Sequence, residues 1–433
     1  MNKSYYLETY GCQMNVADSE LIEKLLHSEG YKQTDQMEKA DAIFVNTCAI
    51  RDHAEQKVHS RLGLFNRVKR ENPGVIIGVL GCMAQNLKDD ILTNKPYVDI
   101  ILGPDGYRRL PEYLKRNNKK KHIVDTKLSR YEVYDDLFPS RKEGINAWVS
   151  IMRGCDKFCT FCIVPFTRGR ERSRSIDSII AEVSQAVSDG FVEITLLGQN
   201  VNSYQFNSIG FTQLLEAVSE VKGVQRIRYT SPHPQDVTEE LLDIMASRNN
   251  ICNSIHFPLQ SGSDRILKRM NRTYTQNHFL AQVTMMRDKI PHIGISTDII
   301  VGFPGETETD FQETLNVMNE VQFNSAFTFK YSGRPFTKAV EYPDHISENV
   351  KQERLERLIQ LQKQHTLNKN SDLIGTAQPV LIEKESKKSS SHWAGRTDTN
   401  KWVTFKKEST KIKQTVDVDI LKTSGISLHG EIS

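Results

Sequence analysis

The stretch SIMRGCDKFCTFCIVPFTRGRERSR, residues 150–174, places three cysteines directly after a predicted buried strand. These are Cys155, Cys159 and Cys162, in the spacing C-x3-C-x2-C. Thiolates are soft ligands that suit iron–sulfur clusters, and a cubane cluster usually takes four cysteines. Three cysteines leave one iron open to an outside ligand, such as the amino and carboxylate groups of S-adenosylmethionine. We therefore predict a [4Fe–4S] cluster on this loop.

The alternative for this loop is a zinc site completed by a distant histidine, or a set of structural cysteines. Zinc sites commonly combine two short cysteine motifs, and no second local pair is present in the sequence. The surrounding pattern favours the cluster, because the loop follows the first of six apolar strands that helical segments separate. The predicted strands are 147–154, 193–199, 225–231, 254–260, 294–302 and 325–332. This alternation predicts an α/β domain over 144–371, a partial parallel (β/α)6 barrel with its site at the carboxyl ends of the strands.

The end of the second barrel strand, LLGQN (196–200), is a candidate cofactor contact. Gly198 would let the backbone approach the methionine part of S-adenosylmethionine, and we include Gln199 and Asn200 in the same predicted site. The alternative is a simple turn, which is the usual role of a glycine at a strand end.

A second set of cysteines lies in the first hundred residues. Cys12, Cys48 and Cys82 each follow a predicted strand, namely 5–11, 42–47 and 75–81. If these strands are neighbours in a parallel sheet, the thiols converge on one edge and form a second three-cysteine site. The alternative is three unrelated buried cysteines. We assign residues 1–118 to this parallel α/β domain and 119–143 to a linker.

The carboxyl-terminal region changes in character. A charged helix over 348–370 leads to short alternating strands, which predict a small β-barrel at 372–433. Trp393, Trp402 and Phe405 lie near basic residues there, and could stack on RNA bases or form the barrel core. The barrel carries ten Lys and Arg against eight Asp and Glu, so its charge alone does not identify an RNA-binding surface.

Basic side chains also follow the cysteine loop. They are Arg168, Arg170, Arg172 and Arg174. They could contact phosphates or hold the loop in place through ion pairs.

The bulk composition is that of a globular protein. The 433 residues carry a formal net charge of +3 and are 38% hydrophobic. We find no signal peptide at the start and no apolar run long enough to cross a membrane, so we expect a cytoplasmic protein. Clustered cysteines in that compartment point to metal binding or catalysis, not to disulfides. Cys252 lacks such partners, and we interpret it as a core or near-surface thiol.

These motifs together resemble the methylthiotransferase family of the radical S-adenosylmethionine superfamily across nearly the whole chain. ETYGCQMNVADSE (8–20), FVNTCAIRDHAEQK (44–57) and VLGCMAQ (79–85) look like its amino-terminal domain, and residues 150–174 look like its radical core. HFPLQSGSDRILKRMNRTYT (256–275) and DIIVGFPGETETDF (298–311) continue the match, and 380–405 resembles the TRAM domain, a small RNA-binding barrel. YGCQMN and CIVPFTRGRE are typical of the MiaB branch. The loop SGRPFTKA (332–339) departs from that branch at Phe336, where glycine is common.

The resemblance implies an activity and its cofactors. The branch converts N6-isopentenyladenosine at position 37 of tRNA to its 2-methylthio derivative, with S-adenosylmethionine as methyl donor and radical source. It implies one [4Fe–4S] cluster on Cys155, Cys159 and Cys162, and an auxiliary, sulfur-carrying [4Fe–4S] cluster on Cys12, Cys48 and Cys82. It also implies that Gly302 lies in an adenine-contacting segment.

The resemblance implies partners as well. These are tRNA, an electron donor of flavodoxin or ferredoxin type, and a sulfur donor that the sequence does not identify. Three alternatives remain open at this point: methylthiolation of a ribosomal-protein aspartate, methylthiolation of threonylcarbamoyladenosine in tRNA, and a non-catalytic zinc protein that binds RNA.

Overall fold

The structure, a computed structural model, describes residues 3–48, 52–116, 122–142 and 144–433. Residues 117–121 and 143, which fall partly in the predicted linker, lie outside the described residues. Within the described part, none of the helices combines the length and the apolar character needed to cross a lipid bilayer.

The amino-terminal domain is a parallel sheet with helices on both faces. Its strands are β1 (Ser4–Tyr10), β2 (Lys32–Gln33), β3 (Ala42–Thr47), β4 (Ile76–Gly81), β5 (Ile100–Leu102) and β6 (Ile123–Asp125), in the order β2-β1-β3-β4-β5-β6. Its helices are α1 (Gln13–Ser28), α2 (Asp52–Glu71), α3 (Cys82–Asn86), α4 (Lys88–Asn94) and α5 (Leu110–Lys115). Successive residues of β3 face opposite layers: Phe44 packs with α1 and Val45 with α2. The predicted parallel sheet is therefore confirmed.

Strand β6 lies inside the segment that we interpreted as a linker. It pairs in parallel with β5 and extends the sheet. Tyr134, further along the same segment, is buried and donates a hydrogen bond to the carbonyl of Pro104. Part of the segment thus packs as an extension of the amino-terminal domain.

The central region contains parallel strands that alternate with helices. Its strands are β7 (Asn146–Ser150), β8 (Met152–Arg153), β9 (Arg172–Ser173), β10 (Glu193–Leu197), β11 (Gln205–Phe206), β12 (Ile209–Gly210), β13 (Arg226–Tyr229), β14 (Ser254–His256), β15 (Gly294–Val301) and β16 (Ser325–Lys330). Its helices are α6 (Val164–Arg168), α7 (Ile176–Ser188), α8 (Phe211–Ser219), α9 (Glu239–Ser247), α10 (Asp264–Arg269), α11 (Gln276–Lys289) and α12 (Glu308–Val321).

The predicted barrel strands form two parallel sheets, with orders β13-β10-β7 and β14-β15-β16. A parallel bridge between Ile227 and Ile251 joins the two sheets. Their apolar faces share one hydrophobic core with the surrounding helices. This is the open, partial barrel that the apolar periodicity predicts, and the loops at the carboxyl ends of its strands hold the candidate site.

Helix α13 (Glu348–Ser371) packs against β16 and leads into a closed antiparallel barrel. The barrel strands are β17 (Ala377–Ser386), β18 (Ser389–Thr397), β19 (Trp402–Lys406), β20 (Thr415–Thr423) and β21 (Leu428–Ile432), in the order β17-β18-β19-β21-β20. Val380, Val403, Phe405 and Val418 fill its interior. The predicted small β-barrel is confirmed.

Candidate functional site

Cys12, Cys48 and Cys82 follow the carboxyl ends of three neighbouring strands. Strands β1, β3 and β4 are adjacent in the sheet, and their last residues are in register: Tyr10 pairs with Thr47, and Thr47 pairs with Gly81. Each cysteine stands one or two residues past this row. The sheet topology therefore brings the predicted auxiliary set to one edge of the domain.

Cys12 and Cys48 are in contact at this edge. Gly11 has a φ of +139°, and a Cβ added to it would lie 2.7 Å from the Cβ of Cys48. A hydrogen bond with Cys48 is the main cause that lowers the pKa of Cys12 to about 6, against the opposing effect of burial. Burial raises the pKa of the Cys82 thiol, and the charge of Arg168 partly offsets this effect.

The predicted radical-core cysteines share a second loop. The Cys162 amide donates to the carbonyl of Cys159 at 3.0 Å, and the Cys155 amide donates to the carbonyl of Gly169 at 3.1 Å. Burial raises the pKa of Cys155 to about 11 and that of Cys162 to about 12. The Arg272 guanidinium donates to the Cys159 sulfur at 3.4 Å. A metal bound here would have to displace thiol protons, which is the usual behaviour of cysteine ligands.

Both cysteine sets suit an iron–sulfur cluster in their donor chemistry. Among the described residues, no group of three or more His, Cys, Asp or Glu side chains is arranged to hold a single metal ion. A mononuclear zinc ion needs ligands that converge on one point. In a cubane cluster each thiolate binds a different iron, so the thiols can stand further apart. Three thiols per set match the donor chemistry of such a cluster, and cluster binding at either set stays a prediction.

The two cysteine sets face each other across the domain interface. Cys82 packs against Ile163, the residue after Cys162. Cys12 packs in an apolar group that includes Leu197 at the end of β10. Helix α3, which starts at Cys82, lies against α6 of the central domain. Apolar contacts therefore join the regions that carry the two sets.

Asp18, Arg153 and Arg168 form a buried ionic group at this interface, of which we singled out only Arg168 from the sequence. The Asp18 carboxylate accepts hydrogen bonds from Arg153 at 2.6 Å and from Arg168 at 2.8 Å. All three residues are less than 5% exposed. A signal was present in the sequence, since Arg153 directly precedes the Gly-Cys pair of the cysteine loop, but partner choice depends on the tertiary fold.

The predicted cofactor-contact residues have mainly protein partners. The Gln199 side chain accepts a hydrogen bond from the Gly154 amide, and Asn200 donates to Asp236 at 3.1 Å. Gly198 lies close to Met152. Gly302 packs against Lys351 of α13, and its amide donates to Glu306 at 3.0 Å. Cofactor contact at these positions stays a prediction.

A polar group on β14 and β15 was also not identified from the sequence. His256 Nδ1 lies 3.0 Å from the Ser296 hydroxyl, and His256 Nε2 lies 3.2 Å from Asp298. The ring of Phe327, which is 56% exposed, meets His256 edge-on. These partly exposed side chains belong to the sheet β14-β15-β16, in which polar and aromatic groups can orient a substrate.

The arginines after the cysteine loop have separate environments. Three of them are buried in ion pairs. These pairs are Arg168 with Asp18, Arg172 with Asp105, and Arg174 with Glu182. Arg170 is exposed, pairs with Asp156 and lies over the ring of Phe158. We interpreted these arginines either as phosphate contacts or as ion pairs that hold the loop. The structure supports the second role for the three buried arginines, and phosphate contact stays open only for Arg170.

The aromatic residues of the barrel differ in how deeply their rings are buried. Phe405 is buried in the core, which rules out base stacking by this ring. Trp393 is partly packed on the core under Lys407, and Trp402 lies beneath Lys384. Arg396 is held by Glu193 and Glu383.

Comparison with known proteins identifies the family. Family models match the chain at 4–103 (described as "Uncharacterized protein family UPF0004"), at 149–318 (Radical SAM superfamily) and at 372–433 (TRAM domain). The chain is 46% identical to the tRNA-2-methylthio-N(6)-dimethylallyladenosine synthase of Bacteroides thetaiotaomicron over 99% of this chain and 96% of that protein. The synthase of Christiangramia forsetii is 44% identical over 99% of this chain and 94% of that protein. The chain belongs to this family of synthases.

Solved structures confirm the fold at low sequence identity. The radical S-adenosylmethionine methyltransferase TsrM from Kitasatospora setae, solved with cobalamin and a [4Fe–4S] cluster, superposes with a TM-score of 0.57 at 12% identity. The alignment covers 78% of this chain and 77% of TsrM. The cobalamin-dependent S-adenosylmethionine radical enzyme OxsB gives a TM-score of 0.56 at 13% identity, over 84% of this chain and 56% of that chain. The α/β architecture of the family is thus present here.

Proposed function

We propose that this protein is a radical S-adenosylmethionine methylthiotransferase that acts at C2 of N6-isopentenyladenosine, at position 37 of tRNA. The observation that carries the proposal is the identity of 44–46% to the synthases over essentially the full chain. The arrangement of the two cysteine sets agrees with this chemistry. Modification of a protein aspartate or of threonylcarbamoyladenosine is not favoured, because the curated relatives act on dimethylallyladenosine by name.

We assign the two cysteine sets to two [4Fe–4S] clusters. Cys155, Cys159 and Cys162 would hold the cluster that supplies the electron for cleavage of S-adenosylmethionine, the chemistry that such a cofactor brings to a protein. Cys12, Cys48 and Cys82 would hold the auxiliary cluster, which would carry the sulfur. Each set offers three thiols, so each cluster would keep one iron for an outside ligand.

The protein's own contribution is position and exclusion of water. A carbon radical on the substrate must meet its sulfur before any competing reaction, so the two sites have to share one dry cavity. The contact of Cys82 with Ile163, beside the loop of the other set, supports such a shared cavity. The packing of Cys12 with Leu197 closes a second side. Arg272 holds the Cys159 thiol from the barrel side.

The partners follow from the same assignment. We propose tRNA as the substrate, bound in part by the TRAM barrel that the family model identifies at 372–433. We propose a flavodoxin or a ferredoxin as the electron donor, because reductive cleavage of S-adenosylmethionine requires one electron per event. The sulfur donor is left unassigned.

Mass spectrometry of tRNA nucleosides tests the proposed reaction. A strain that lacks the gene should accumulate N6-isopentenyladenosine and lose its 2-methylthio derivative. A plasmid copy should restore the derivative, and a Cys48→Ala copy should not. An unchanged content of 2-methylthio nucleoside in the deletion strain would contradict the proposal.

A further inference from the structure

The interface between the two cysteine sets buries an excess of positive charge. Among the described residues there, Arg153, Arg168 and Arg172 are each at most 7% exposed, and their carboxylate partners are Asp18 and Asp105. Arg172 has Asp105 to itself, whereas Arg153 and Arg168 share the single carboxylate of Asp18. Buried charges are normally paired, because an uncompensated ion is costly to remove from water. The excess indicates that an anion belongs at this place.

Arg168 is the arginine whose hydrogen-bonding capacity is left open. Its Nη2 donates to Asp18 at 2.8 Å, whereas its Nη1 is buried and has no partner among the described residues. Nitrogens of Arg153 and Arg172 are also unpartnered. The Arg153 guanidinium, however, lies over the ring of Tyr134 at 4.6 Å, and Arg172 makes a two-point contact with Asp105.

The position of Arg168 links it to the auxiliary cysteines. Arg168 is the last residue of α6, which packs against α3, the helix that begins with Cys82. Ile163, the N-cap of α6, packs against Cys82, and Asp18, which binds Arg168, lies on α1, the helix that Cys12 caps. Arg168 therefore extends from the central domain to the edge where the amino-terminal thiols converge, and Asp18 fixes its direction.

We propose that Arg168 is a positioning residue for the auxiliary cluster, and that its free Nη1 donates a hydrogen bond to a cluster sulfur beside Cys82. The inference rests on the proposed function, since it requires that Cys12, Cys48 and Cys82 hold that cluster. The ligand is an anionic iron–sulfur cluster, which supplies both the missing negative charge and the missing hydrogen-bond acceptor. Asp18 holds the Arg168 guanidinium through one carboxylate oxygen, and Arg153 binds the other oxygen of Asp18.

Two measurable properties of the cluster follow from such a hydrogen bond. Hydrogen bonds to cluster sulfurs stabilise the reduced, more negative state and so raise the reduction potential. Groups that support metal ligands also slow metal loss, and their removal typically weakens metal retention about tenfold or more. Loss of the Arg168 side chain should therefore lower the potential and accelerate the release of iron.

The test uses the full chain with Cys155, Cys159 and Cys162 changed to alanine, so that the auxiliary cluster is observed alone. Arg168→Gln is added to this background, and the potential is measured by a redox titration followed by electron paramagnetic resonance. We expect a more negative potential than in the parent, and an iron release to a chelator that is about tenfold faster. Arg168→Lys keeps the charge but loses the planar fork, so its potential should also lie below that of the parent.

Arg172→Gln is the matched control, because Arg172 joins the same two domains through Asp105. Its potential and iron release should equal those of the parent. Equal changes in Arg168→Gln and Arg172→Gln would overturn the proposal, because they would show a general effect of domain docking. A potential in Arg168→Lys equal to that of the parent would also overturn it, because the charge alone would then explain the effect. A background protein that binds no iron would instead contradict the two-cluster assignment itself.

Discussion

Phe336 is an exposed aromatic residue in a backbone conformation that suits glycine. Its φ is +67°, its side chain is 69% exposed, and its ring lies 6.2 Å from that of Phe166, which follows the cysteine loop. A residue with a side chain in the left-handed region carries a strain of about 1–3 kcal/mol. Strain of this kind is retained where the surrounding structure requires it.

Phe336→Gly should therefore stabilise the protein. Relief of the strain outweighs the loss of a mostly exposed ring and should raise the free energy of unfolding by about 1 kcal/mol, seen as a higher melting temperature. Phe327→Gly is the control, because Phe327 is comparably exposed but lies within β16. That variant should melt at a lower temperature, since glycine weakens a strand interior. A lower melting temperature for Phe336→Gly would contradict this explanation.

Single variants should distinguish the roles of the two cysteine sets. Cys159→Ala should abolish formation of 5′-deoxyadenosine, because the cluster that splits S-adenosylmethionine loses a ligand. Cys48→Ala should leave that cleavage in place and block sulfur insertion. Chromatography of 5′-deoxyadenosine and of the tRNA nucleosides from the same reaction measures both steps. Equal loss of both products in the two variants would contradict the division of roles.

At this scale the sequence identified the cysteines but not their charged neighbours. Cys12, Cys48 and Cys82 share a position after an apolar strand, which is a pattern visible in one dimension. Asp18 acquires its role only because α1 and α6 meet across a domain interface. Likewise, the Arg168 to Arg174 run did not indicate which of its members would be buried.

The edge that carries Cys12, Cys48 and Cys82 depends on tight turns at the strand ends. Gly81 has a φ of +90°, and an added Cβ would collide with the Asn46 side chain and approach the Thr47 carbonyl oxygen at 3.0 Å. Asn46 in turn donates to the carbonyl of Asn15 at 2.9 Å. The turn before Cys82 therefore has no space for a side chain.

Gly81→Ala should displace Cys82 and release the auxiliary cluster, with a loss of about half of the bound iron. Gly30→Ala is a close control, because Gly30 has a φ of +79° but no atom within 4 Å of the added Cβ. Both variants carry the backbone strain of about 1–3 kcal/mol, whereas only Gly81→Ala adds the collision. Iron analysis of the two proteins after anaerobic reconstitution tests whether the turn before Cys82 must lack a side chain. Equal iron contents in the two variants would contradict this requirement.

Elements with a strong apolar pattern were predicted well, and short elements were not. Strands β1, β3 and β4 match their predicted positions within a residue or two. The sequence pattern predicts a helix over 18–28, whereas α1 begins at Gln13, because Cys12 acts as its N-cap and Asn15 completes the cap. Cysteine is not a usual capping residue. Strand β6 is three residues long and was hidden next to a charged run.

A buried carboxylate links the carboxyl-terminal barrel to the central domain. Glu193 of β10 is fully buried and accepts hydrogen bonds from Arg228 at 3.0 Å and from Arg396 of β18 at 2.8 Å. Arg228 also donates to the carbonyl of Thr397 at 2.8 Å. These contacts attach the barrel directly to the central sheet, in addition to the connection through α13.

The ionisation of Glu193 gives this attachment a pH dependence. Burial alone would raise the pKa of Glu193, but Arg228 and Arg396 outweigh it and hold the pKa below its ordinary value of 4.5. The contribution to stability is therefore present above pH 4.5 and is lost as the pH falls through the lowered pKa of the folded state.

Glu193→Gln should loosen the barrel at neutral pH. Removing one partner from a buried ionic group typically costs about 3–5 kcal/mol, and amide hydrogen exchange in β18 should become faster. Glu383→Gln is the control, because Glu383 binds the same Arg396 from within the barrel. Exchange in β18 that is as slow in Glu193→Gln as in Glu383→Gln would contradict this role.

At the scale of the whole molecule, the sequence predicted the α/β class and the terminal barrel, but not how the parts meet. The apolar contact between Cys82 and Ile163 joins residues that are far apart in the chain. The Glu193 link to Arg396 spans more than two hundred residues. Such contacts depend on domain packing, which periodicity within one segment does not encode.

The central claim is that two opposed three-thiol sets each hold a four-iron cluster. Iron and sulfide analysis of the anaerobically reconstituted full chain tests it most directly, beside variants in which one set is replaced by alanine. We expect about eight irons per chain in the wild type and about four in each variant. A wild type with about four irons, unaffected by replacement of Cys12, Cys48 and Cys82, would contradict the account.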